Sequence, residues 1–152
     1  MLTINEYRKV ESLEEAYELN QKKNNKIIAG GVWMKIGDRR IATAIDLSGL
    51  GLDQITETDT EFVIGAMTTL REIEKHAGLA AYTDGAIRES VRHIVGVQFR
   101  NCATVGGSIF GRFGFSDVLT VFLAMDTQVE LYHAGMVSLK AVSYTHLTLP
   151  TT

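Results

Sequence analysis

The chain has 152 residues, 45% of them hydrophobic, with 15 Lys and Arg against 18 Asp and Glu. That length accommodates one or two compact domains with a sizeable core, and a formal charge of -3 supplies neither the basic footprint of a nucleic-acid reader nor the polybasic run of an anionic-membrane binder. Cys102 is the single cysteine, which excludes an internal disulfide and any four-thiolate iron–sulfur or Cys-rich zinc site within the chain and makes reducing cytoplasm the default compartment.

Residues 1–15 alternate apolar and charged without the apolar core of a leader, and the most hydrophobic run, 118–125, is too short to cross a bilayer. Residues 6–10 read as a strand. Ser12-Leu13-Glu14-Glu15 is a capping box opening a helix with Leu13, Ala16 and Tyr17 on one face. After a charged loop, Ile27-Ile28-Ala29 reads as a buried strand running into Gly30-Gly31 and an apolar helix start carrying Val32, Trp33, Met34 and Ile36. A strand follows at 43–47, and Gly49 and Gly51 mark a boundary at residue 52.

The second unit opens as a hairpin, 54–58 and 61–65 around Asp59-Thr60. Thr69-Leu70-Arg71-Glu72 is a second capping box, and 86–94 forms a further helix with Ile87, Val91 and Ile94 inward. The stretch Arg100-Asn101-Cys102-Ala103-Thr104-Val105-Gly106-Gly107-Ser108 ends in a second glycine pair. Ser116 is the N-cap of a helix bearing Val118, Leu119, Val121, Phe122 and Met125, and residues 127–132 alternate as an amphipathic strand. From Val142 the chain reads Val-Ser-Tyr-Thr-His-Leu-Thr-Leu-Pro-Thr-Thr, which resembles one reading frame of a sequencing adapter. Residues 141–152 are therefore expected to be a non-native tail after native text ending near Lys140, leaving the second unit truncated.

Glycine lacks a Cβ, so a Gly-Gly turn after a strand permits positive φ and brings main-chain amides close to an oxygen-rich anion. Two such turns, at 30–31 and 106–107, can close on one pyrophosphate from both sides, with hydroxyls of Thr104 and Ser108 helping in place of a lysine. Neither pair fits a Walker A or a Rossmann fingerprint. Arg100 and Arg112 are read as surface cations near the second pair. Cys102 is read as a packing residue in preference to a reactive thiolate, Trp33 as core packing in preference to a face on which a ring stacks, and His76, His93 and His133 as helix-end or surface residues without ligand spacing. Nucleophile-elbow and zinc-protease motifs are missing from the text, so it reads as a cofactor holder rather than an acid–base enzyme, with no catalytic side chain and no metal ligand assigned.

The blocks Ile27-Ile28-Ala29-Gly30-Gly31, Ala44-Ile45-Asp46-Leu47-Ser48, Ile64-Gly65-Ala66-Met67-Thr68-Thr69-Leu70-Arg71-Glu72-Ile73, Arg100 to Ser108 and Ser116-Asp117-Val118, in that order, resemble the FAD-binding subunit of the molybdenum hydroxylases, the flavin subunit of xanthine and carbon monoxide dehydrogenases. The resemblance covers about residues 4 to 140. It implies an α+β, PCMH-type FAD-binding fold with a small N-terminal α/β subdomain, 1–52, and a larger subdomain on an antiparallel sheet, 53–140, with FAD between them. It implies that Ile28, Ala29, Gly30, Gly31, Val32, Trp33 and Met34 lie on the pyrophosphate and adenosine side, and that Thr104, Val105, Gly106, Gly107 and Ser108 grip the pyrophosphate from the other subdomain. Asp117 then binds the cofactor's polyol or ribose, or is simply a first-turn acid favoured by the helix dipole; Ile94 falls at an apolar flavin contact. Residues 109–115 depart from the small-residue, Pro-containing loop of that family.

The resemblance also implies partners: a molybdenum–pterin large subunit that acts on the substrate and a small subunit whose iron–sulfur clusters pass electrons to FAD and on to NAD or another acceptor. Two other readings stand beside it, a fragment that binds partner subunits without flavin and a stand-alone PCMH-type flavin oxidoreductase.

Overall fold

The structure, a computed structural model, describes residues 1–111 and 113–147. Arg112 and the 148–152 end of the expected tail lie outside the described residues.

Strand β1 (Thr3–Lys9), helix α1 (Leu13–Asn20) and strands β2 (Lys26–Ile28) and β3 (Arg40–Asp46) make the first unit, a parallel sheet ordered β1-β3-β2. The middle strand is β3, and it carries the core: Ile41, Ala44 and Ile45 are buried, and Ile45 packs with Val10, Ala16 and Leu47 under α1. Both β1 and β2 are edges. That order corrects the reading of 27–29 as a buried strand, because β2 pairs on one side only and Ile27 stays 42% exposed.

The Ser12 cap forms as expected, its Oγ accepting from the Glu15 amide at 3.1 Å. The reciprocal bond is displaced by one residue: the Glu15 carboxylate accepts from the Glu11 amide at 3.0 Å, while Arg8 of β1 donates to its other oxygen at 2.6 Å. A cation from the strand has turned the carboxylate away from Ser12.

The second unit begins with the antiparallel pair β4 (Ile55–Glu57) and β5 (Phe62–Ile64), closed by the Thr58 amide donating to the Glu61 carbonyl. The helices α2 (Leu70–Lys75), α3 (Ala77–Tyr82), α4 (Ala86–Arg92), α5 (Val97–Cys102), α6 (Val105–Gly111) and α7 (Asp117–Leu123) follow. A second antiparallel pair, β6 (Gln128–Leu131) and β7 (Gly135–Ser138), leads into α8 (Leu139–Leu147). At Thr69 the full capping box is present: the threonine hydroxyl accepts from the Glu72 amide and the Glu72 carboxylate from the Thr69 amide. His76 caps α3, its Nδ1 accepting from the Leu79 amide at 3.1 Å. Leu70, Ile73, Ile87, Val91, Val118 and Phe122 interlock as one core, with the β4–β5 pair laid against it through Ile55, Phe62 and Ile64.

The stretch around the second glycine pair is helical where a strand and turn were expected. Thr104 ends the α5–α6 junction and its hydroxyl accepts from the Gly107 amide at 3.1 Å, so the threonine acts as an N-cap and the glycines fall in the first turn of α6.

Between α4 and α5, Val95 has φ +49° and is 77% exposed. A left-handed L-residue costs about 1–2 kcal/mol, and the added chain entropy of glycine takes back about 0.5–1 kcal/mol. Val95→Gly is therefore expected to raise stability by about 0.5–1 kcal/mol, seen as a higher urea midpoint at unchanged slope; a lower midpoint would show that the valine side chain contributes packing that its exposure does not suggest.

Candidate cofactor site

The first glycine turn leaves the end of β2 and docks on the second unit. A Cβ at Gly30 would lie 1.8 Å from the Cys102 carbonyl oxygen and 2.3 Å from its carbon, so only glycine lets this backbone meet the end of α5. Gly106 is similar, with the Ala66 carbonyl oxygen 2.6 Å from where a Cβ would stand. The two pairs do face one another: a Cβ at Gly107 would sit 3.8 Å from that of Ala29. Two of the four glycines are thus used to bring backbones together.

The donors are distributed unequally. In the second pair the amides have acceptors: Val105 donates to Thr68 O, Gly106 to Ala66 O, Gly107 to the Thr104 hydroxyl and Ser108 to Thr104 O. The Ser108 hydroxyl also donates to Thr104 O at 2.8 Å. In the first pair the amides of Gly30, Gly31, Val32 and Trp33 donate to no acceptor among the described residues. Gly31 has φ +69°, and a turn containing a left-handed residue gathers successive amides into a concavity that suits an anion.

Lys35 adds a cation there. The Gly31 carbonyl accepts from the Lys35 amide at 3.0 Å, and the lysine Cε comes within 4.0 Å of the Cβ position at Gly31. Sequence reasoning assigned neutralisation to amides and hydroxyls and missed this lysine. Its signal was the spacing, since one helical turn after Gly31 returns residue 35 to the same side.

The remaining expected residues sit as follows. Ile28, Ala29 and Met34 are half-buried, Met34 opening a single 3-10 turn, Met34–Ile36, in place of the expected apolar helix start. Val32 packs on the core of the second unit. Trp33 is 52% exposed, which corrects its reading as a core residue: Val32 takes the inward place and the indole is left outside. Thr104 and Val105 are buried. Ile94 packs against the second core and its carbonyl accepts from Arg100 Nη1 at 3.1 Å. Asp117 is exposed at the first position of α7, beside the Ser116 cap. Cys102 is exposed and contributes its carbonyl rather than its thiol to the packing.

Arg100 is not a surface cation. Its side chain is 7% exposed and its Nε donates to Glu74 Oε2 at 3.0 Å, while Arg71 donates to the same oxygen at 2.8 Å. Burial alone would push the Glu74 carboxyl up; the hydrogen bonds and charges of Arg71 and Arg100 outweigh it and hold the group below the ordinary carboxylate range. Arg100 is thereby committed to tying α5 to α2.

A cleft of about 420 Å³ opens elsewhere, among Ser48, Asp53, Thr69, Arg71, Glu72 and Lys75. Its walls mix two cations with two carboxylates, and none of the glycine-turn residues lines it. The unpaired amides make the turn at 30–33 the better anion site.

A small α/β unit docked through glycine turns on a second, mostly helical unit with antiparallel pairs is the PCMH-type FAD-binding fold. The chain belongs to the family described as the FAD binding domain in molybdopterin dehydrogenase, whose model matches residues 3–148. Its backbone is similar to that of the Cu,Mo-CO dehydrogenase in cyanide-inactivated form, with TM-score 0.80 and 26% identity over 91% of this chain and 52% of that one. Similarity to a carbon monoxide dehydrogenase from Hydrogenophaga pseudoflava has TM-score 0.77 and 26% identity, over 88% of this chain and 49% of that one. The uncharacterized protein YgfM of Escherichia coli K12 is 28% identical over 145 residues, 90% of this chain and 53% of its own length. The chain thus spans about half the length of the relatives it matches. Among the described residues no helix is long and apolar enough to cross a membrane.

Proposed function

We propose that this chain is the FAD-holding portion of the flavin subunit of a molybdenum hydroxylase of the xanthine or carbon monoxide dehydrogenase kind, a cytoplasmic complex. Electrons from iron–sulfur clusters of a small partner subunit pass through FAD to NAD or another acceptor, while a large molybdenum–pterin subunit acts on the substrate. The observation that carries this reading is the run of unpaired amides at 30–33, held in a left-handed glycine turn against the second glycine pair.

FAD supplies the redox-active isoalloxazine. The chain's own task is to bind and orient it. The amides of Gly30 to Trp33 and the Lys35 ammonium are suited to a pyrophosphate, with Thr104, Gly107 and Ser108 on the facing side. Asp117, an exposed carboxylate, accepts from a hydroxyl of the ribose or polyol. In this reading the two subdomains are 1–52 and 53–140.

The test is the visible spectrum of the purified chain after incubation with FAD and desalting. Retained oxidised-flavin bands, with FAD released on denaturation, are the expected result. A folded, colourless product would favour the reading in which the chain binds partner subunits without flavin.

A further inference from the structure

Three large aromatic rings stand in solvent beside the first glycine turn: Trp33, Phe113 and Phe115, 52%, 42% and 69% exposed. They are clustered. Trp33 lies 5.7 Å from Phe113 and 6.1 Å from Phe115, and the two phenylalanines are nearly parallel at 5.2 Å. The cluster is also anchored: Phe99, packed against the second core, meets the indole edge-on at 6.3 Å, and the Ser116 amide donates to the Phe113 carbonyl to close the loop. Gly111 lets the Phe113 ring approach its backbone, since a Cβ there would stand 2.8 Å from a ring carbon.

An anchored cluster that leaves so much aromatic surface in water is shaped to be covered, and its position says by what. Trp33 is the last residue of the unpaired-amide run. The phenylalanines follow α6, whose end at Gly111 lies about 6–8 Å along the helix from the glycines facing the same turn. A ring joined to a phosphate through a ribose or a ribityl chain spans a comparable distance. We infer that Trp33, Phe113 and Phe115 form an aromatic platform on which a planar heteroaromatic ring of the bound dinucleotide stacks, the indole supplying the main face. The inference rests on the FAD-binding reading and adds the ring-holding residues to it.

Stacking of a base on an aromatic side chain is sequence-tolerant and its loss is readily measured. Affinity for FAD is measured by equilibrium dialysis on the full chain, with circular dichroism confirming an unchanged fold. Trp33→Leu is expected to weaken FAD binding about tenfold or more, Trp33→Phe to stay within about threefold of wild type, and Phe115→Leu, at the more exposed ring, to weaken it about threefold. The same titrations with riboflavin and with ADP-ribose assign the ring: the ligand whose affinity falls in Trp33→Leu carries it. Equal FAD affinity in wild type, Trp33→Leu and Phe115→Leu overturns the platform and leaves the FAD-binding reading standing, and the exposed rings then belong to a protein contact. A wild-type chain that binds no FAD overturns both.

Discussion

Gly30→Ala should be strongly destabilising, because Gly30 is the glycine whose added methyl group would come nearest to another atom. The new carbon would stand 1.8 Å from the Cys102 carbonyl oxygen, and that neighbour is backbone, fixed by α5 and by the Leu70 amide donating to Ala103 O at 2.9 Å. No rotamer change relieves the clash, so the turn and the end of α5 must part. Overpacking usually costs 1–3 kcal/mol where side chains can yield, and about 3 kcal/mol or more is expected here. Urea unfolding followed by circular dichroism measures the loss. Gly31→Ala is the informative control: it meets nothing closer than 3.9 Å and should lose only the 1–2 kcal/mol or so of a left-handed alanine. Equal midpoints for the two variants would mean that the turn is not docked as described. FAD retention should fall further in Gly30→Ala than stability alone explains, because the facing of the two glycine pairs depends on that approach.

The sequence announced features whose causes are local and missed those set by distant partners. The Thr69 box was legible because both of its bonds lie within four residues. At Ser12 one half was legible and the other was not, since Arg8, a strand residue, draws the same glutamate. Strand order decided the exposure of Ile27, and nothing in a three-residue apolar run reveals which strand will be central. The second glycine pair was a different kind of miss. Thr104 stands three residues before Gly107, an ordinary N-cap spacing, but the glycines themselves argued for a turn and masked it. For the site, the order of the motif blocks was enough to bring both glycine pairs together, yet not to say which pair keeps its amides free. That depends on Ala66, which lies forty residues upstream and accepts from Gly106, together with the Thr104 hydroxyl that accepts from Gly107. Trp33 was assigned to the core on apolar neighbours alone, when only one of two adjacent residues, Val32, faces inward.

Glu74→Ala is expected to cost about 3 kcal/mol, because removing one partner of a buried ion pair strands the other charge. Arg100, 7% exposed, would keep only the Ile94 carbonyl. The companion Glu74→Ala/Arg100→Met variant should recover part of that loss, since it removes the stranded charge as well; a double variant as unstable as the sum of two singles would show that the pair is not coupled. The same pair sets an acid dependence. The folded carboxyl of Glu74 lies below its unfolded value of about 4.3, so the unfolded chain takes up the proton first as pH falls. Its stabilising contribution is complete above that unfolded value and disappears as pH drops through the lower folded one. Stability measured from pH 6 downward should therefore decline less steeply in Glu74→Gln than in wild type. Identical acid limbs in the two proteins would remove Glu74 as the cause and return the problem to the other carboxylates. Because Arg100 opens the segment that ends in Gly106-Gly107, weakening its hold on α2 should also loosen the wall facing the 30–33 turn, and FAD retention should fall in acid over the same pH range.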